Sequence, residues 1–289
     1  MSEQKAAPAQ AGGDSRNLVT RIAAALVLAP IAIGAAYAGG FWWTALATLG
    51  AIGLFVEWLM VAGRAHDMRV VASGVAALAV GGLCLALRRI DTALVLLVLG
   101  FAAVVVLSAE RRRWTAAGFL YAAAALLASV LVRLDQIEGL VALILVLLVV
   151  WATDIGGYFA GRGIGGPKLW PQVSPKKTWA GATGGFLASL VVAALLVRFD
   201  PHKDDPSLKL KMGPMLAIAA CLSVASQLGD LLESAVKRHF GVKDSSHIIP
   251  GHGGLMDRLD GYVAAIVLAA IFGILRGGVD GVGRALMVW

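Results

Sequence analysis

The sequence predicts an all-α, polytopic integral membrane protein with about nine transmembrane helices. Of its 289 residues, 59% are hydrophobic and only 15% are charged, which is unusual for a soluble domain. Apolar runs recur along nearly the whole chain, and roughly 20 helical residues are enough to cross a hydrocarbon core of about 30 Å. The predicted spans are residues 20–38, 42–62, 69–87, 92–108, 114–132, 139–160, 179–198, 213–235 and 260–277.

Composition divides the chain into three parts. Residues 1–19 are polar and rich in Ala and Gly, which predicts a disordered N-terminal tail ahead of a retained first helix. Residues 20–135 are Ala/Leu/Val helices with short charged turns, and they predict a transmembrane scaffold. Residues 136–289 carry nearly all of the membrane-embedded polar residues. Because such residues are costly in a membrane and usually functional, this third part is the predicted catalytic region.

The charge distribution predicts the orientation in the membrane. The net charge is +7, but the basic residues are spread over connecting loops and form no stripe that would fit a nucleic acid. With nine spans and a cytoplasmic N-terminus, 16 of the 25 Lys and Arg residues fall on the cytoplasmic side, in agreement with the positive-inside rule. The prediction is a protein of a bacterial-type inner (cytoplasmic) membrane whose active site faces the cytoplasm.

Two features of the apolar spans bear on possible sites within the membrane. Cys84 and Cys221 lie in apolar spans without the spacing of metal ligands. Glu57 lies in the second span, where an unpaired carboxylate would be costly. We expect Glu57 either to pair with Arg64 or to reach an internal polar cavity, and a structural pairing role is favoured over a catalytic role.

The end of span eight carries the first polar constellation. Asp230, Ser234 and Lys237 are separated by four and then three residues, so they project from one face of a helix. Glu233 joins them at the edge of that face. An ion pair at a helix end would be the simplest explanation. It is less satisfactory here because Lys237 begins a longer run of residues that suit phosphate binding.

A glycine-rich turn lies between spans eight and nine. Glycine adopts backbone angles that other residues resist, so a Gly-x-Gly-Gly turn can direct successive N–H groups at an anion. The helix that follows would also favour negative charge at its N-terminus. The residues of this segment are Lys243, Asp244, Gly251, His252, Gly253 and Gly254. A zinc site is not predicted, because the histidine has no second His or Cys at ligand spacing.

Span nine begins with Asp257, Arg258 and Asp260. Two carboxylates three residues apart share a helix face and can hold a hard cation through oxygen atoms. Compensation of the helix dipole explains one acid, but not two together with Arg258. With Asp230 from the neighbouring span, the two acids predict a site for Mg²⁺ that keeps waters for substrate phosphates.

A second basic segment, Ser174-Pro-Lys-Lys-Thr178, lies between spans six and seven. Its lysines offer point charges and its two hydroxyl groups offer donors, just before a helix N-terminus. Upstream, Asp154 lies inside span six, followed by several glycines. No strand precedes these glycines, so a dinucleotide-binding motif is rejected. Gly157 and Gly161 are instead expected to let helices pack closely.

These motifs resemble those of the phosphatidate cytidylyltransferase family, also called CDP-diacylglycerol synthases. The 27 residues from Ser234 to Asp260 resemble the family signature, and Ser174-Pro-Lys-Lys-Thr178 resembles its second motif. The resemblance covers the C-terminal half of the chain. Ala180 is a departure, because members often carry Glu at this position. The resemblance implies a magnesium-dependent reaction of CTP with phosphatidic acid, and it also implies a homodimer.

The roles expected from this resemblance fall into three groups. The metal is expected at Asp230 and Asp257, with Asp260 as a third ligand or a partner of the ligands. These three acids and Lys237 form the expected catalytic set. The residues expected to contact or surround the substrates are Asp154, Ser174, Lys176, Lys177, Thr178, Ser234, Arg238, Lys243, Asp244, Gly251, His252, Gly253, Gly254 and Arg258.

Three alternative functions are less consistent with the sequence. Asp257-Arg-Leu-Asp260-Gly261 superficially resembles the opening of the CDP-alcohol phosphotransferase motif, but an uncharged span follows instead of further acids. A CTP-dependent polyprenol kinase would also need a membrane, CTP and magnesium. A transporter or magnesium channel is disfavoured because the acids cluster at one membrane face and the first helices lack matching polar groups.

Overall fold

A computed structural model describes residues 30–200, 204–205, 207–246 and 253–289. Among these residues, eight helices are long and apolar enough to cross a membrane. They are α1 (Gly40–Val61), α2 (Met68–Ala86), α3 (Ile90–Leu107), α4 (Arg112–Leu134), α5 (Gly139–Gly163), α6 (Trp179–Arg198), α7 (Met212–His239) and α8 (Met256–Gly277). A short helix, α9 (Val282–Met287), follows them.

The predicted fold class is confirmed. Eight of the nine predicted spans correspond to α1–α8, with ends that differ by no more than four residues. The first predicted span lies partly outside the described residues, and its described part is helical over residues 30–38. The predicted N-terminal tail, residues 1–19, lies entirely outside them.

A short antiparallel hairpin separates α5 from α6. It consists of β1 (Lys168–Trp170) and β2 (Ser174–Thr178), with Lys168 opposite Thr178 and Trp170 opposite Ser174. Gly165 and Gly166 have φ values of 69° and 91°, and this left-handed region, which favours glycine, turns the chain after α5. The predicted basic segment is therefore an extended strand that leads directly into α6.

The helices pack around two apolar clusters that meet at α4 and α8. Phe55 and Leu126 belong to the first cluster, which is formed mainly by α1–α4. Val146 and Leu222 belong to the second, formed mainly by α4–α9. Helix α4 is central, because 67% of its most apolar stretch is buried, against 22% for α3 and for α6. Most of the surface of α3 and α6 is therefore available to lipid.

The fold brings the two charged segments to one end of the helices. Helix α5 packs along α6, and α7 packs against both α6 and α8. Since α6 and α7 cross the membrane in opposite directions, the chain returns to the side from which α6 began. The hairpin before α6 and the segment between α7 and α8 therefore share one membrane face.

Candidate active site

An open cavity of about 620 Å³ lies between the hairpin and helices α5, α6 and α7. Five predicted site residues line it: Asp154, Lys176, Lys177, Thr178 and Asp230. The lining also includes Tyr158, Arg162 and Gln227, which are not among the predicted site residues. The cavity thus combines residues from two sequence motifs that are far apart in the chain.

Glycines on α5 and α6 let the two helices beside the cavity approach closely. A Cβ atom on Gly157 would lie 3.3 Å from the carbonyl oxygen of Gly181, and a Cβ atom on Gly161 would lie 3.4 Å from Cα of Gly181. A Cβ atom on Gly185 would collide with the carbonyl oxygen of Thr153. The predicted role of Gly157 and Gly161 in close helix packing is confirmed.

Lys177 and Asp230 form an ion pair beside the cavity. The Nζ atom of Lys177 lies 2.5 Å from Oδ2 of Asp230, and the two side chains are 27% and 35% exposed. The pair links β2 to α7. The next residue, Thr178, is buried and caps α6, since its Oγ1 accepts a hydrogen bond from the N–H of Gly181 at 3.1 Å.

A second polar cluster lies where α7 ends and α8 begins. The Nζ atom of Lys237 lies 2.7 Å from Oε2 of Glu233 and 2.5 Å from Oδ1 of Asp257. The side chains of Lys237 and Glu233 are only 12% and 4% exposed. Lys237 is therefore held between two protein carboxylates.

Asp257 fixes the chain on both sides of residues 247–252, which lie outside the described residues. Its Oδ2 accepts a hydrogen bond from the N–H of Ser245 at 3.1 Å and lies 3.0 Å from the hydroxyl oxygen of the same residue. It also accepts one from the N–H of Gly254 at 3.1 Å. Gly253 has a φ of 85°, which favours glycine. Within the described part of the glycine-rich turn, the N–H of Gly254 thus points at Asp257.

Three acids gather near the ion pair of Lys177. Asp260 interacts electrostatically with Asp230, with Asp154 and with Lys177. Gly229 allows α7 to approach α8 here, because a Cβ atom at this position would lie 2.6 Å from the carbonyl oxygen of Asp260. The structure therefore brings together Asp230 and Asp260, two of the three predicted metal ligands.

The third predicted ligand, Asp257, belongs to the second polar cluster. Glu233 interacts with both Asp257 and Asp260, so the two clusters are electrostatically connected. Carboxylate oxygens are the donors that a hard cation such as Mg²⁺ prefers. Among the described residues, no three His, Cys, Asp or Glu side chains are already arranged as the ligands of a metal ion. The oxygen donor atoms of these acids are of the kind that magnesium prefers.

Glu57, from α1, is completely buried beneath the second cluster. The expected ion pair with Arg64 is wrong, because Arg64 lies 2.7 Å from Asp67 and 3.4 Å from Glu110. The partners of Glu57 are instead polar groups at the start of α8 and in the segment before it. Ser245, one of these partners, is 188 residues away in the sequence. The only sequence signal was a carboxylate inside an apolar span.

The other predicted residues lie around the two clusters. Ser234 contacts Oδ1 of Asp230 through its hydroxyl at 3.4 Å, which is long for such a hydrogen bond. Ser174 lies at the start of β2 and does not line the cavity. Four charged residues at this end of the bundle are exposed: Arg238, Lys243, Asp244 and Arg258. Gly251 and His252 lie outside the described residues.

The chain is similar to proteins of known name along most of its length. Residues 19–275 match the sequence model of a family described as the cytidylyltransferase family. A protein of Brucella suis named phosphatidate cytidylyltransferase is 41% identical over 265 residues, which are 90% of this chain and 94% of that protein. A protein of the same name from Staphylococcus saprophyticus is 45% identical over 134 residues, which are 46% of this chain and 49% of that protein. The longer match includes both the first helices and the candidate site.

Proposed function

The chain belongs to the cytidylyltransferase family, and we propose that it acts as a phosphatidate cytidylyltransferase. The proposed reaction transfers CMP from CTP to phosphatidic acid and gives CDP-diacylglycerol and pyrophosphate. The observation that carries this proposal is the 41% identity over 90% of the chain to a relative of that name. A site at the end of apolar, membrane-crossing helices also suits a lipid substrate.

The chemistry of this reaction needs charge stabilisation more than a protein base. The phosphomonoester of phosphatidic acid is largely ionised at neutral pH, so one of its oxygens can attack the α-phosphorus of CTP directly. The new P–O bond forms as the bond to the bridging oxygen breaks, and pyrophosphate leaves with the electron pair. The protein must bring two polyanions together and stabilise the leaving group. Basic side chains next to acids suit that task.

The open cavity is the proposed CTP site. Its volume of about 620 Å³ falls within the range of about 300–1,000 Å³ that is common for ligand pockets. Lys176 and Lys177 line it and provide charges for the phosphates. Lys237 and the exposed Arg238, Lys243 and Arg258 at the same end of the bundle are proposed to contact phosphates of CTP or of the lipid.

Magnesium is the proposed cofactor. Asp230 and Asp260 would hold the ion, with Asp257 as a third ligand or as a partner of the ligands. A bound magnesium ion would neutralise phosphate charge and stabilise the departing pyrophosphate. Lys177 and Lys237 orient two of these acids, because each ammonium group lies 2.5 Å from a carboxylate oxygen.

The site is proposed to face the cytoplasm of a bacterial-type inner membrane, where CTP is available. The support is the placement of 16 of the 25 Lys and Arg residues on that side in the nine-span topology. A homodimer is also proposed, from the family resemblance. The mass of the purified protein in detergent, measured by light scattering, tests the dimer.

The proposed activity can be tested with the purified protein. It is incubated with phosphatidic acid, magnesium and CTP that is tritiated in the cytosine ring. We expect a lipid-soluble cytidine product and an equal amount of pyrophosphate, and neither without phosphatidic acid. Release of CDP with a phosphorylated lipid would instead indicate a CTP-dependent lipid kinase. Ion flux across liposomes without CTP would favour a transporter.

A further inference from the structure

Glu57 accepts hydrogen bonds from both segments that lead into α8. Its Oε1 accepts from the hydroxyl of Ser246 at 2.6 Å and from the N–H of Leu255 at 2.7 Å. Its Oε2 accepts from the hydroxyl of Ser245 at 3.1 Å and from the N–H of Met256 at 2.7 Å. One carboxylate of α1 therefore holds the segment before the glycine-rich turn and the first residues after it.

The hydrogen-bond donors around Glu57 compensate the cost of burying its carboxylate. The side chain is 0% exposed, and a carboxylate inside a membrane bundle is costly unless polar groups compensate it. Backbone N–H groups at a helix N-terminus provide such compensation. At Gly254, a Cβ atom would lie 2.9 Å from Oε2 of Glu57 and would collide with the hydroxyl of Ser245. The glycine thus preserves the space that this arrangement needs.

The contacts of Glu57 continue to the second polar cluster. The hydroxyl oxygen of Ser245 lies 3.1 Å from Oε2 of Glu57 and 3.0 Å from Oδ2 of Asp257. Asp257 in turn contacts Lys237 at 2.5 Å. We infer that Glu57 is a positioning residue that holds Asp257 and Lys237 in place for CMP transfer, an inference that rests on the proposed function. Because it is fully buried, Glu57 acts through these residues and not on the substrate.

The substitution Glu57→Gln tests this inference with almost no change in side-chain size. A glutamine amide has one acceptor oxygen and one NH₂ group, which only donates. Whichever way the amide is turned, its NH₂ group faces the backbone N–H of either Leu255 or Met256. A serine hydroxyl can rotate to accept a hydrogen bond, but a backbone N–H cannot. E57Q therefore leaves one buried N–H unsatisfied and displaces the start of α8.

Two measurements test the expected effect of E57Q on the site. The kcat of CMP transfer, per mole of folded protein, is expected to fall about a hundredfold, since a displacement of about 1 Å at a reactive group can have that effect. The amides of Leu255 and Met256 are expected to lose protection against hydrogen exchange, measured by mass spectrometry on a peptide covering 253–263. A merely structural role would lower the folded fraction and leave the kcat of folded molecules unchanged.

Trp58→Phe is the matched control. Trp58 is the next residue of α1, it is buried, and its Nε1–H donates to the carbonyl oxygen of Trp114 at 2.8 Å. W58F also removes one buried hydrogen bond, so it is expected to lower the thermal midpoint but keep kcat within about twofold. The exchange of Leu255 and Met256 should not change in this variant.

Three outcomes would distinguish a failure of the positioning role from a failure of the proposed function. Equal kcat in E57Q and W58F, or unchanged exchange at Leu255 and Met256 in E57Q, would overturn the positioning role. An inactive wild-type protein would refute the proposed function instead. In that case, the exchange measurement would still show whether Glu57 fixes the start of α8.

Discussion

The ammonium group of Lys177 lies 2.5 Å from a carboxylate oxygen of Asp230, and both residues line the open cavity. One residue comes from the hairpin strand β2 and the other from α7. The two side chains remain 27% and 35% exposed. A phosphate group that enters the cavity can therefore compete with Asp230 for Lys177, which leaves the acid available to a cation. This pair connects the proposed nucleotide site to the proposed metal ligands.

Replacement of Lys177 is expected to impair the use of CTP. Lys177→Gln keeps most of the side-chain length but removes the charge, and kcat/KM for CTP should fall by roughly 10²- to 10³-fold, as for other groups that stabilise developing charge. Lys168→Gln is the control, because Lys168 is exposed on the same hairpin and does not line the cavity. Initial rates with varied CTP measure both variants. Equal losses would mean that only the total charge of the hairpin matters.

Asp257→Asn is expected to abolish turnover while the protein still inserts and extracts normally. Asparagine keeps the size of the side chain but removes the charge that faces Lys237. Activity across a magnesium titration and the yield of extracted protein are the measurements. Asp280→Asn, on the exposed segment after α8, should behave like the wild type. Activity of D257N at saturating magnesium would refute the role of Asp257 as a metal ligand.

The close packing of α5 against α6 is expected to make Gly185→Ala destabilising. The added methyl group would collide with the carbonyl oxygen of Thr153, and overpacking of this kind typically costs about 1–3 kcal/mol. Gly213→Ala is the control, since a Cβ atom there meets nothing within 4 Å. It should be neutral or stabilising by up to about 1 kcal/mol, because Ala is the better helix former. Equal thermal midpoints in detergent would contradict the packing of these helices.

Hydropathy alone predicted α1–α8, because a membrane-crossing helix needs a continuous apolar run. It was less accurate where the helices carry the site. The predicted spans 213–235 and 260–277 are shorter than the helices, which end at His239 and begin at Met256. Lys237 and Asp257 lie within the two helices, but their charges lower the mean hydropathy of the helix ends. The predicted spans therefore stop short of both residues.

Contacts between distant segments could not be predicted in the same way. Helical spacing correctly places Asp230 and Lys237 on one helix, but it does not show that Asp230 contacts Lys177. The four hydrogen bonds that Glu57 accepts are equally invisible in its local sequence. Such contacts depend on how helices pack in three dimensions, and the periodicity of a single segment does not contain that information.

The proposed reaction moves the α-phosphorus of CTP to the lipid. CTP carrying radioactive phosphorus at either the α or the γ position tests it directly, with phosphatidic acid and magnesium present. We expect the α label to enter the chloroform phase as CDP-diacylglycerol, while the γ label stays in the aqueous phase as pyrophosphate. Recovery of the γ label in the lipid would show phosphoryl transfer and contradict the proposed CMP transfer.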